Sequence, residues 1–191
     1  MLKELNESQA ERQISAWIHD DSDRMQALED LKSVSEATGQ ALWLAAGFVR
    51  NLVWDSLYLT YDSPLNDIDV IFHDQHNPLP EQDKFIEAQL SKLSPQFPWS
   101  VKNQARMHLR NGDAEYQGLQ DAISYWPEQQ TAVAVRLGGE GELEFISAFG
   151  LACLFNGRLE HNPARDRSVF LQRVQSKGWL QQYPDLLLTC D

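Results

Sequence analysis

The chain has 191 residues with 28 acidic and 16 basic side chains, a net charge of -12. That balance opposes sequence-independent binding of long DNA or RNA, which depends on lysine and arginine displacing counterions from phosphates. With 42% apolar residues and only 8 prolines, the composition excludes a disordered or fibrous chain, and the length predicts a single domain over 1–191.

The N-terminus (Met1, Leu2, Lys3, Glu4) lacks the basic start and apolar run of a secretory signal, and the apolar run 41–49 is too short to span a bilayer. A cytoplasmic protein without a membrane segment is expected. Cys153 and Cys190 form no CxxC pair, so two reduced thiols are expected rather than a zinc site or redox dithiol.

Helical spacing of Ile14, Trp17 and Ile18, then of Met25, Leu28, Leu31 and Val34, predicts two N-terminal helices within 1–38, with a sheet core over 39–191. The apolar stretch 42–46 reads as a buried strand that turns at Gly47 into a helix reaching about Tyr58. A turn at 62–64 precedes 67–72, where alternation puts Ile68, Val70 and Phe72 on one strand face and Asp67 and Asp69 on the other. Helices over about 81–93 and 116–126 flank a strand predicted at 99–109. Residues 131–137 and 142–146, joined by Gly138, Gly139, Glu140 and Gly141, read as a hairpin, and 165–177 as a last helix stopped by Gly178.

Asp67 and Asp69 carry the most chemistry, because alternate strand residues project in parallel and two carboxylates held so close favour a divalent cation. Oxygen ligands suit Mg2+ or Mn2+, which complete their shells with water and substrate phosphate. A strand ending in Gly47 and opening a helix offers backbone amides at the positive end of the helix dipole, where phosphates bind. Arg50 is placed to clamp such a phosphate and Asn51 to add a hydrogen bond. Solvated aspartates and a solvent-facing arginine are the alternative reading of these residues.

The stretch from Leu44 to Asn51, followed by Asn66, Asp67, Ile68, Asp69 and Val70, resembles the nucleotidyltransferase fold of the DNA polymerase β superfamily. It is similar to the Gly-Gly-x-Val-Arg-Asp and Asp-x-Asp pair of the tRNA CCA-adding and poly(A) polymerase branch, with Ala46 in place of one glycine and Asn51 in place of the aspartate. Closer still, these stretches together with 99–108, 131–137 and 149–151 resemble an uncharacterised bacterial nucleotidyltransferase-like family. The resemblance implies an α+β fold of the polymerase β type, a mixed sheet flanked by helices. It also implies a nucleoside triphosphate as substrate, two-metal catalysis, and an acceptor hydroxyl that attacks the α-phosphate as pyrophosphate leaves.

Such a site calls for a third carboxylate from a later strand. Glu144 is the candidate, beside Glu142 on the polar face of the last hairpin strand, and both also read as solvated. Lys102, Arg106 and Arg110 lie in a segment without acids, where an anionic substrate would dock on Lys102 and Arg106 with Asn103 and His108 as hydrogen-bonding neighbours. Ion pairs with surplus carboxylates are the alternative. A second basic cluster, Arg158, Arg165, Arg167, Arg173 and Lys177, reads as a helix face paired with acids rather than a nucleic-acid groove. Trp54 or Trp126 is the candidate for stacking a base, and His73 with His76 is too sparse a set for a transition metal.

Two functions follow as expectations. One is transfer of a nucleoside monophosphate to an unidentified small-molecule or protein hydroxyl. The other is a catalytically inactive nucleotide-binding or interaction module of the same fold, which the departures at Ala46 and Asn51 favour.

Overall fold

A computed structural model describes residues 5–58 and 63–190. Helix α1 (Glu7–His19) begins at a reciprocal capping box: the Asn6 side chain accepts the Gln9 amide, and the Gln9 side chain accepts the Asn6 amide. Asp21 caps α2 (Ser22–Thr38), and left-handed Gly39 ends it. The turn expected at 62–64 begins at Asp62, outside the described residues.

Five strands form the main sheet: β1 (Trp43–Ala45), β2 (Ile68–Phe72), β3 (Trp99–Asn103), β4 (Val133–Leu137) and β5 (Leu143–Ser147). Their spatial order is β3-β2-β1-β4-β5. Only β2 and β3 run parallel, joined by the crossover helix α4 (Pro80–Leu93); the other neighbours are antiparallel. With α3 (Gly47–Tyr58), this is the mixed sheet with flanking helices that the resemblance implies.

One face of the sheet, carrying Leu44, Ile68, Val70, Val101, Val133 and Val135, packs against apolar residues of α1 to α4 in the main core. The opposite face carries Asp69 and Ile71 of β2 and meets a smaller cluster around Trp43, Ala45, Ala134 and Ile123. A third cluster joins Trp54 of α3 to Leu159, Phe170, Val174, Trp179 and Tyr183. It is built by α7 (Arg167–Lys177), α8 (Trp179–Gln182) and a second, two-stranded parallel sheet, β6 (Arg158–Glu160) with β7 (Leu187–Thr189). Sequence patterning does not reveal this second sheet, because three-residue strands are too short to show alternation.

Two elements differ from expectation. The strand predicted at 99–109 stops at Asn103 and continues as a 3-10 turn (Gln104–Arg106) and a short helix, α5 (Met107–Asn111). The cause is the edge position of β3. Its outward amides at Val101 and Asn103 are satisfied by the Glu87 and Asp83 carboxylates of α4, at 3.2 and 3.1 Å, in place of another strand. The Asn103 side chain then accepts the Ala105 amide and caps the turn. The helix expected over 116–126 is shorter, α6 (Leu119–Ser124).

Candidate active site

Because β1 and β2 are antiparallel, the C-terminal end of β1 lies beside the N-terminal end of β2. The Gly47 turn and the Asp67, Asp69 pair therefore meet at one end of the sheet. Asp67 precedes the strand by one residue and is exposed, whereas Asp69 is half-buried on β2. Burial, and then the neighbouring charge of Asp67, push the Asp69 carboxyl up to about 6, opposed by the cations Lys177, Arg50 and Arg173.

The turn into α3 is set by Ala46, the one non-glycine residue with positive φ (55°) among those described. Its amide donates to Val133 O at 2.9 Å, and its carbonyl accepts the amides of Val49 and Arg50. For a residue with a Cβ this conformation costs roughly 1 kcal/mol, a strain of the sort found where backbone is shaped for a ligand. The amides of Gly47 and Phe48 precede the first helical bond and have no intrahelical acceptor.

Arg50 is not solvent-facing; it is only 5% exposed. Its guanidinium carbon lies 4.5 Å from the centre of the Trp179 ring and 5.1 Å from that of Trp54. Nη1 donates to Thr131 Oγ1 and Nη2 to Asn51 Oδ1, both at 2.8 Å, while buried Nε has no partner among the described residues. Burial lowers its pKa to about 10, partly offset by the charge of Glu128, so it stays protonated at neutral pH. A Cβ on Gly47 would lie 3.3 Å from Asn51 Nδ2 and 3.5 Å from Arg50 Nη2. The missing side chain at Gly47 thus leaves a cradle onto which two nitrogen donors and the helix amides converge. Donors outnumber acceptors there, and the chemistry is that of an oxyanion receptor.

The structure does not bring the other predicted residues to this place. Glu144 sits on β5, with β1 and β4 between it and β2. Three strand spacings put it about 14 Å across the sheet from β2, and it pairs with its cross-strand neighbour Arg136 at 2.6 Å. Glu142 lies in the same distant hairpin and accepts the Glu140 amide. Among the described residues, no three His, Cys, Asp or Glu side chains gather to hold a metal.

Asn103 is wholly buried, and its amide group holds Asp74 N, Asp74 O and Ala105 N. Arg106 turns away once the strand ends and forms a bidentate pair with Asp83. Both hold the edge of the sheet in place of an anion. Lys102 and Arg110 stay exposed, Lys102 on the same sheet face as Asp69. Trp54, a candidate for stacking a base, is fully buried against Arg50, Trp179 and Tyr183 and presents no free face; Trp126 is half-buried beside Ile123 and Ala132. His73 Nε2 is engaged with Tyr116 O at 3.0 Å.

The second basic cluster is paired as expected at two points: Arg165 with Asp113, and Arg173 with buried Glu128. Thr131, Glu128, Arg173 and Trp179 nonetheless border the site, which sequence reading missed. The i, i+4 spacing of Arg173 and Lys177 was the available signal.

Two carboxylates crowded together, one of them with a raised pKa and neither in an ion pair among the described residues, suit a divalent cation. An aspartate pair at a strand start opposite a glycine-led helix start is the arrangement that the resemblance to polymerase β-type nucleotidyltransferases implies. A family model described as a nucleotidyltransferase matches residues 33–188, and the chain belongs to that family.

Among solved structures, a protein whose NMR structure "reveals a CCA-adding enzyme head domain" is 28% identical, with a TM-score of 0.77 over 94% of this chain and 96% of the other. A CCA-adding enzyme in complex with CTP is similar in fold at 13% identity and a TM-score of 0.53, over 91% of this chain and 49% of the enzyme. An apo form of a CCA-adding enzyme gives 15% identity and 0.55, over 91% and 48%. The chain spans under half the length of those enzymes. No curated protein matches. Among the described residues, no helix is long and apolar enough to cross a membrane.

Proposed function

We propose that the protein transfers a nucleoside monophosphate from a nucleoside triphosphate to the hydroxyl of a small molecule or a protein, with Mg2+ or Mn2+ as cofactor. The observation that carries this reading is the convergence of the Gly47 cradle and its buried, partly unsatisfied Arg50 on the end of the sheet that holds Asp67 and Asp69. Divalent cations held by Asp67 and Asp69, together with triphosphate oxygens, would neutralise phosphate charge and ease deprotonation of the attacking hydroxyl, the two-metal scheme of this class. Arg50, Asn51 and the Gly47 amide orient the phosphates, so that the acceptor oxygen forms its bond to the α-phosphorus as the bond to the pyrophosphate oxygen breaks. Lys102, on the same sheet face as Asp69, is placed to meet the anionic end of the substrate or acceptor. The net charge of -12 disfavours a long RNA as acceptor and favours a compact one in a cytoplasmic setting.

A second reading, a module that holds nucleotide without turning it over, is favoured by the position of Glu144 and by the lack, among the described residues, of a third acid gathered with Asp67 and Asp69 to hold a metal, Glu128 being paired with Arg173. One experiment separates the two. ATP, GTP, CTP and UTP are titrated with Mg2+ or Mn2+ while the melting temperature and pyrophosphate release are followed. A metal-dependent rise in melting temperature with pyrophosphate release supports the transferase. A rise without release across varied acceptors supports the module, and no rise sinks both.

Gly47→Ala fills the cradle without strain in the backbone. It is expected to leave the melting temperature unchanged or slightly raised, since alanine favours a helix over glycine by roughly 0.5–1 kcal/mol. Triphosphate affinity should fall by about tenfold or more through the lost phosphate contacts. Calorimetric titration beside a thermal melt reads both, and unchanged affinity would remove the cradle from the site.

A further inference from the structure

The C-terminal end of α7 is tied to residues that border this site. Two contacts hold it there: Arg173 Nε donates to buried Glu128 Oε1 at 2.6 Å, and Trp179, just past left-handed Gly178, packs against the Arg50 guanidinium. Lys177 lies between these anchors, one turn after Arg173. On α7 the buried positions are Phe170 and Val174, and a helix of 3.6 residues per turn brings position 177 to that same inward side. Yet Lys177 is exposed, so its ammonium stays in solvent instead of in the core.

Arg173 is engaged by Glu128, whereas Lys177 has no carboxylate within ion-pair distance among the described residues.

We propose that Lys177 is a phosphate-binding residue that grips the outer phosphates of a triphosphate, opposite Arg50. The proposal rests on the nucleotide reading above and adds the substrate contact at its far side. Around the site, Asp67, Asp69 and Glu128 balance Arg50, Arg173 and Lys177. Once a divalent cation joins the aspartates the pocket becomes positive, which suits a polyanion better than a monophosphate. A mobile ammonium on a helix end meets terminal phosphate oxygens as a point charge, a different task from the fixed fork of Arg50.

The test uses the full chain with Mn2+ and non-hydrolysable analogues of ATP and CTP, set against AMP and CMP, in calorimetric titrations of the unmutated protein, Lys177→Gln and Lys177→Arg. An exposed, unpaired lysine can be replaced without loss of melting temperature, so the variants remain folded. Lys177→Gln is expected to bind the triphosphate analogues about tenfold more weakly and the monophosphates within about twofold, with Lys177→Arg restoring most of the loss. Equal weakening for both ligand types, or none, overturns the role of Lys177 while leaving the nucleotide site standing. If the unmutated protein shows no Mn2+-dependent binding of either analogue, the nucleotide reading fails and this inference falls with it.

Discussion

Asp67→Asn combined with Asp69→Asn is expected to abolish metal-dependent nucleotide binding and, at neutral pH without metal, to make the protein more stable. Asp69 titrates near 6 in the folded chain against 3.8 for a free aspartate, because burial and the Asp67 charge disfavour its ionised form. The folded state therefore holds the proton more tightly than the unfolded state. The resulting stability is fully present below pH about 4 and is lost as the pH climbs through 6. The loss is on the order of 2 kcal/mol, since each tenfold difference in proton affinity between the two states is worth about 1.4 kcal/mol and partial solvent access reduces the total. Unmutated protein should show a falling melting temperature over this interval, and the double variant should lack that fall. Mn2+ should reverse the loss above pH 6 in the unmutated protein alone, with proton release on binding at pH 6. Thermal melts across pH 4 to 8, with and without Mn2+, check the three stability effects, and calorimetric titration in buffers of different ionisation enthalpy checks the proton release. Equal metal response in both proteins would remove the aspartates from the site.

Arg50→Ala should have the largest effect on the fold. It empties the space between Trp54 and Trp179, removes a desolvated cation from two aromatic faces, and leaves Thr131 Oγ1 and Asn51 Oδ1 without their donor. Together these changes should cost about 2–4 kcal/mol of stability by chemical denaturation. Arg50→Lys keeps the charge and part of the volume, so it should recover part of the stability. An ammonium cannot reproduce the planar fork, however, and triphosphate binding should stay at least about tenfold weaker than in the unmutated protein. If Arg50→Lys binds triphosphate as the unmutated protein does, the fork has no part in phosphate binding and Arg50 serves packing alone.

The two variants together separate two uses of one residue. The tryptophans fix the plane of the guanidinium, and Thr131 and Asn51 fix its rotation about that plane. What remains open to a ligand is its set of unpaired N–H groups. This is a pre-arranged donor set, ordered before any anion arrives, and so it binds without the entropy loss of fixing a free arginine.

Much of the framework was legible in the chain itself. Apolar spacing marked α1, α2 and α4, and the alternation around Asp69 marked β2 within a residue, because these elements bury one face and the period of burial is written in the residue order. The glycine-led turn after β1 and the hairpin β4–β5 were legible for the same local reason. The pairing state of a side chain was not. Asn103 and Arg106 read as substrate ligands and instead hold the sheet edge, since their partners Asp74 and Asp83 come from other segments.

What the residue order alone determined, then, was the type of the longer helices and of the main-sheet strands, though not where β3 ends, and which end of β1 and β2 carries the glycine and the acids, because these depend on neighbours within a few positions. Strand order was decided only by tertiary packing, and it is strand order that sets Glu144 beyond two intervening strands and pairs it with Arg136. Packing likewise carried α7 and α8 back onto α3, so that Trp179 lies against Arg50. The physical reason is that burial of Trp54, Phe170 and Tyr183 in one shared cluster is a property of surfaces meeting, which no local pattern records.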